Sequence, residues 1–224
     1  MIKELLENDL PAYYKVGRRR SCYEIVSSKT EFDLVDRDND YVVDYKSGSA
    51  SFSNNASRLS VINYEAYIGK YVGTHIADGK RRCDFIITDK NADNLIVLCE
   101  ITSTLDRLDN LSLPITETLK DGSLKVIFPH GKYQKAEQQL YESLVNIMRV
   151  PSIMAYIAKK QKKICLMSYL IRPTKNKTVI TFNRNRIVEA EEAGENGSQI
   201  SSPQIEQYGF EYCRISHRYS YKLY

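Results

Sequence analysis

Hydrophobic and polar positions alternate in short runs over 22–46: Tyr23 and Ile25, Phe32 and Leu34, then Tyr41, Val43 and Tyr45. A period of two predicts short strands, here broken by the acidic turn Asp36, Arg37, Asp38, Asn39 and Asp40. Before them, 2–10 reads as a short helix stopped by Pro11. The Ser/Gly/Asn-rich stretch 46–55 reads as a loop. Over 56–70 the spacing of Leu59, Ile62, Ala66 and Tyr67 predicts a helix, with Glu65 beside its apolar stripe. A strand is expected over 71–77, a turn at Asp78 and Gly79, and further strands over 82–88 and 95–102, joined by the polar turn 89–94.

Pro114, Gly122, Pro129 and Gly131 make 103–130 read as irregular. The clearest helix is 132–148, where Tyr133, Ala136, Leu140, Leu144, Ile147 and Met148 form one stripe. A short helix over 152–160 follows Pro151, and the apolar run 164–171 predicts a strand buried on both faces. Strands over 178–182 and 210–219 flank an acidic, Gly/Ser-rich loop over 189–202. From residue 56 the order is helix, three-strand meander, helix, strand. That order implies an α/β chain with a mixed sheet flanked by helices. The expectation is one domain over 1–224, with a core over 56–172 and peripheral strands and loops over 1–55 and 173–224.

Composition changes this picture little. Of 224 residues, 42% are hydrophobic and 27% charged, which is ordinary globular usage. Seventeen tyrosines and no tryptophan fit either Tyr-rich strands or stacking surfaces. The net charge of +4 implies no nucleic acid by itself. Basic residues cluster at 18–20, 80–82 and 159–163, positions that usually form a solvated face. Five cysteines without a C-x-x-C pair point to neither a disulfide framework nor a zinc site, and fit a reducing cytoplasm. No signal-peptide pattern and no membrane-length apolar run is present, so the expected location is cytoplasmic.

The chemistry lies in the 82–102 hairpin. With its turn centred between Asn91 and Ala92, Asp84 stands opposite Cys99, and Glu100 is its diagonal neighbour. Two carboxylates that close repel each other, and a hard cation relieves the repulsion. The blander alternatives are ion pairs of Asp84 with Arg81 or Arg82, and of Glu100 with Lys125.

Arg82-Cys83-Asp84-Phe85-Ile86-Ile87 and Leu98-Cys99-Glu100-Ile101-Thr102, in this element order, resemble the PD-(D/E)XK nuclease superfamily across about residues 56–172. The resemblance implies a restriction-endonuclease-like core and metal-dependent phosphodiester hydrolysis, with DNA as substrate. It implies Asp84, Glu100, the Ile101 carbonyl and Glu65 as ligands of Mg²⁺ or Mn²⁺. Thr102 occupies the position of the motif lysine and carries no charge, so that role passes to a lysine of the following helix, Lys135 ahead of Lys132. Gln138 or Gln139 with Tyr141 resembles a Gln/Tyr helix motif of some members. Arg81, Arg82, Lys132, Gln139, Arg214 and Arg218 are the candidate nucleic-acid contacts, the last two beside Tyr208, Tyr212, Tyr219 and Tyr221. A homodimer is left open.

His75, His130 and His217 show no metal spacing. His130 before the main helix could face the site, and Ser103 and Thr104 could bind a phosphate oxygen or merely begin a turn. Two other functions stay open: a degenerate relative that binds nucleic acid without cutting it, and a protein-interaction module.

Overall fold

In the computed structural model the described residues are 1–102, 115–118, 124–127, 132–170, 188 and 191–224, without the side chains of 115–118, 124–127 and 132. The chain is α/β. Helix α1 (Ile2–Tyr13) leads into strands β1 (Tyr23–Ser27), β2 (Phe32–Leu34), β3 (Val42–Val43), β4 (Ala50–Ser53) and β5 (Leu59–Asn63). Helix α2 (Tyr64–Gly69) precedes β6 (Phe85–Asp89) and β7 (Leu95–Thr102), and β8 (Ile115–Thr118) pairs antiparallel with β9 (Leu124–Ile127). Helices α3 (Lys132–Met148) and α4 (Pro151–Ala158) lead to β10 (Lys162–Tyr169). The chain closes with β11 (Ser198–Ile200), the short helix α5 (Pro203–Glu206), β12 (Glu211–Ser216) and β13 (Ser220–Lys222).

A seven-stranded mixed sheet runs β1-β5-β6-β7-β10-β12-β11, and a four-stranded sheet runs β13-β4-β2-β3. Strand β10 is parallel to both β7 and β12. A parallel neighbour cannot be reached by a tight turn, so the chain crosses from β7 to β10 by way of α3 and α4. One face of the central sheet (Ile62, Ile86, Ile96, Leu98, Met167, Tyr212) packs with residues of α1 to α4. The other face (Val61, Phe85, Val97, Leu166, Ile215) packs on Phe32, Leu34, Phe52 and Tyr221 of the small sheet. The large sheet is therefore covered on both sides, which is why β6, β7 and β10 read as continuous apolar runs.

Several expectations are corrected. The stretch 56–70 is not one helix but strand β5 turning into α2. All five β5 residues are buried, and Val61 faces the opposite core from Ile62, so the three-residue step from Leu59 to Ile62 is a coincidence of two-sided burial. The meander is thus β5-β6-β7 and not 71–77 followed by two strands; 71–80 is a series of turns closed by the amides of Thr74, Ala77 and Lys80. The expected loop 46–55 contains β4, whose Ala50 and Phe52 bury against β2. Helix α1 continues past Pro11 to Tyr13: one amide bond is lost, but Leu6, Leu10 and Pro11 are all buried, and that packing carries the last turn. The irregular stretch 103–130 includes the β8–β9 hairpin, whose β-branched Ile115, Thr116, Val126 and Ile127 favour pairing between the breakers. The expected strand 178–182 lies outside the described residues. Lys160 of the basic run 159–163 is buried, because Asp89 and the Ala92 carbonyl take its ammonium at 2.7 and 2.6 Å. Among the described residues no helix is long and apolar enough to cross a membrane.

Candidate active site

The β6–β7 ladder pairs Phe85 with Cys99 and Ile86 with Leu98. Continued one residue beyond its last pair, it sets Asp84 opposite Glu100, not Cys99, so the expected register is corrected by one position. The reason is the turn: Asp89 accepts from the Asn94 amide at 2.8 Å and binds Lys160, which centres the hairpin on Ala92. Phe85 and Cys99 face the small sheet, so Asp84 and Glu100 face the helices, on the side of Ile86 and Leu98.

Asp84 organises its surroundings with both backbone and side chain. Its Oδ2 accepts from the Ile101 amide at 2.6 Å. Its carbonyl accepts from the amides of Tyr64 at 2.8 Å and Glu65 at 3.2 Å, the first turn of α2. Glu65 is thereby tied to the residue whose carboxylate it must approach. Asn63 completes the joint: its Oδ1 caps α2 at the Ala66 amide (2.8 Å), and its Nδ2 donates to the Arg37 carbonyl (3.0 Å). That second bond holds the β2–β3 loop against α2 and brings in Asp36. Carboxylate oxygens of Asp36, Glu65 and Asp84 lie within 4.8 Å of one another.

These acids open on a cleft of about 240 Å³ that also exposes Glu100, Ile101, Thr102, Lys135 and Gln139. Asp84 is only 4% exposed and Glu100 5%, and Glu100 Oε2 is buried without a hydrogen-bond partner among the described residues. Burial first, then Asp84, Glu65 and Asp36, pushes the Glu100 carboxyl up to about 10. Burial, reinforced by Asp36 and Glu65, likewise raises Asp84, although the Ile101 amide opposes it. Burial and then Asp36 raise Glu65. The cleft therefore gathers more carboxyl groups than its own cations balance, and the buried ones are held toward their protonated form. In an extended strand a residue's N–H and C=O face the same edge, so the Ile101 carbonyl is turned toward Asp84 as well.

Most residues expected at the site converge there. Asp84, Glu100, Glu65, Ile101, Thr102, Lys135 and Gln139 all line the cleft. Thr102 donates from Oγ1 to the Ser168 carbonyl at 3.3 Å, and Gln139 donates to the Arg82 carbonyl at 3.0 Å. Asp84 forms no ion pair with Arg81 or Arg82 among the described residues; Arg82 is half-buried, and one of its terminal nitrogens is buried without a hydrogen-bond partner among those residues. Arg214 is in register with Met167, and Met167 with Glu100, so it lies on the same row two strands away, about 10 Å off. Its guanidinium rests over Tyr133 and Tyr212 and does not line the cleft. Arg218 is exposed in the β12–β13 turn, and His75 is exposed away from the cleft. The Lys132 side chain, Ser103, Thr104, the Lys125 side chain and His130 lie outside the described residues. Sequence reasoning missed Asp36 and Asn63 as site residues. The only signal for Asp36 was the acid density of 36–40, and nothing local marks Asn63, whose role depends on contacts across 26 residues. Comparisons with family models, curated proteins and solved structures return no significant match.

Proposed function

We propose that the chain is a divalent-metal-dependent nuclease that hydrolyses phosphodiester bonds in DNA on a PD-(D/E)XK-like core. What supports this most is the buried, unpartnered Glu100 Oε2 beside Asp84, at the mouth of a cleft walled by two further carboxylates. A buried carboxylate oxygen without a donor costs several kcal/mol unless a cation or a proton satisfies it. The donor set is all oxygen, which suits a hard ion such as Mg²⁺ or Mn²⁺. Asp84, Glu100 and the Ile101 carbonyl would hold it, with Glu65 and Asp36 closing the acidic side. The order β5-β6-β7, α3, β10 supports the nuclease-like reading of the core.

When bound, such an ion lowers the pKa of a water and offsets charge on the phosphate. The chain's own residues supply position and field. Lys135, exposed at the cleft wall, presents a fixed positive charge to a phosphate oxygen and takes the part of the missing motif lysine. Thr102 holds β7 to β10 through its hydroxyl and supplies no charge. The absence of a lysine at Thr102 favours the second reading, a relative that binds metal and nucleic acid without cutting.

The test is cleavage of end-labelled single- and double-stranded DNA by purified protein in Mg²⁺, Mn²⁺ or EDTA. Metal-dependent cutting that drops about a hundredfold or more in both Asp84→Ala and Glu100→Ala is expected. No cutting under any metal, with metal binding intact, would leave the non-catalytic reading in its place.

A further inference from the structure

The segment that delivers Asp84 to the cleft leads, in the opposite direction, to a second cavity. It runs along α3. The Cys83 amide donates to Ser143 Oγ (2.7 Å), Gln139 donates to the Arg82 carbonyl, and Lys80 Nζ donates to Asn146 Oδ1 (3.0 Å). At its far end Lys80, Tyr141, Glu142, Asn146 and Arg149 line a cavity of about 330 Å³.

The charge of this cavity is unbalanced. Lys80 donates to the His75 carbonyl at 2.6 Å and to the Asn146 amide oxygen, and its ammonium lies 4.5 Å from the Tyr14 ring centroid. All three partners are neutral, so the charge is fixed in place; Glu142 offsets it in part, but less than Arg149 opposes it. Arg149 is exposed just past α3. After burial, its charge is the next cause that holds Lys80 below the ordinary lysine value. Neither cation forms an ion pair among the described residues. Glu142, the one carboxylate in the lining, already accepts from the Arg81 amide and from Gln138. The carbonyl end of α3 favours a cation by only about 0.3–1 kcal/mol, too little to account for two facing the same space.

We propose that the Lys80–Arg149 cavity receives a backbone phosphate of the polynucleotide whose scissile bond lies over Asp84 and Glu100, and so sets the strand's path along α3. The proposal rests on the nuclease reading for what occupies the cleft. Four residues separate Lys80 from Asp84, a reach of at most about 14 Å. The helix climbs about 10 Å from Gln139 to Asn146. With a rise of about 3.4 Å per nucleotide along a duplex axis, the two sites are at most about four nucleotides apart. Arg81, exposed, lies between them. Asn146 and Glu142, the amide and carboxylate of the lining, are already engaged by protein partners, which leaves the two cations to a phosphate contact independent of sequence.

The experiment measures anisotropy of a fluorescein-labelled oligonucleotide of about 16 nucleotides with the full chain in EDTA, over a salt series. Arg149→Gln, at an exposed position, should weaken binding about three- to tenfold at low salt and lower the log–log salt slope by about one. Arg149→Lys should retain most of the affinity. Lys80→Gln should act in the same direction, with its melting temperature recorded because Lys80 also braces the 74–80 turns. Unchanged affinity and slope in Arg149→Gln overturns the proposal. So does displacement of the oligonucleotide by inorganic phosphate at matched phosphate concentration, which would make the cavity a site for a free anion. Cleavage in Mn²⁺ is followed separately. Arg149-dependent binding without cleavage removes the nuclease reading and leaves the cavity; cleavage with Arg149-independent binding removes the cavity alone.

Discussion

At the scale of the residue, Glu100 is the most informative side chain in the molecule. Its carboxyl is raised from the ordinary 4.5 to about 10 by burial and by Asp84, Glu65 and Asp36, against which Lys135 is the opposing charge. The sign follows from proton counts. Below pH 4.5 both folded and unfolded chains hold the proton, and there is no difference. Between 4.5 and about 10 the folded chain keeps a proton that the unfolded chain has lost, so stability falls as pH rises through that window. In EDTA the melting temperature should therefore drop steadily from mildly acid to alkaline pH. Glu100→Gln, which removes the ionisable group and keeps its shape, should flatten that slope and raise the alkaline melting temperature by roughly 2–4 °C for each kcal/mol regained. Scanning fluorimetry across pH decides it: a Gln variant less stable than wild type at alkaline pH would mean that the charged carboxylate already has a protein partner.

At the scale of the element, the site depends on joints between strands, helices and loops. Asn63 is one: it caps α2 and pins the β2–β3 loop. Asn63→Ala should cost about 1 kcal/mol of stability from the cap alone. By releasing Asp36 and Glu65 it should also weaken Mn²⁺ binding about tenfold, read by calorimetry, although Asn63 does not line the cleft. The second joint is Lys160 with Asp89, which fixes the β6–β7 turn and hence the register of Asp84 with Glu100. Lys160→Met leaves the Asp89 charge buried and unpaired and should cost about 3–5 kcal/mol in urea unfolding, with Asp89→Asn added to it recovering part of the loss. Two elements were legible in full: β7 over 95–102 and α3 over 132–148 match the expected bounds, because a long unbroken apolar run and a one-sided 3.6 stripe are hard to mistake. The 59–69 segment was not, since residues buried on both faces satisfy the helical and the strand period at once. Asp84 and Glu100 were legible as a pair from the hairpin spacing, and Glu65 and Lys135 only through what the family resemblance implied; all four line the cleft. Asp36 was not legible, because only the packing of the small sheet's loop on α2 brings it in.

At the scale of the whole molecule, the cleft is where the three layers meet. Asp84 and Glu100 come from the central sheet, Asp36 from the β2–β3 loop of the small sheet, and Glu65 and Lys135 from the helices. A cation held there would tie all three layers together, and the folded chain alone assembles its ligands. Its binding energy would therefore appear as stability of the entire fold. At a metal concentration a hundredfold above Kd the gain is about 2.7 kcal/mol. For a chain of this length that is roughly 5–11 °C in melting temperature. Metal must also displace the proton that Glu100 holds near neutrality, so the shift produced by Mn²⁺ should grow as pH rises, against the fall expected in EDTA. Asp84→Ala with Glu100→Ala should abolish the shift at every pH, while Lys135→Ala, which removes no ligand oxygen, should preserve it. A Mn²⁺ shift that persists undiminished in the double alanine variant would mean that the ion binds elsewhere, and the cleft would lose its claim to be a metal centre.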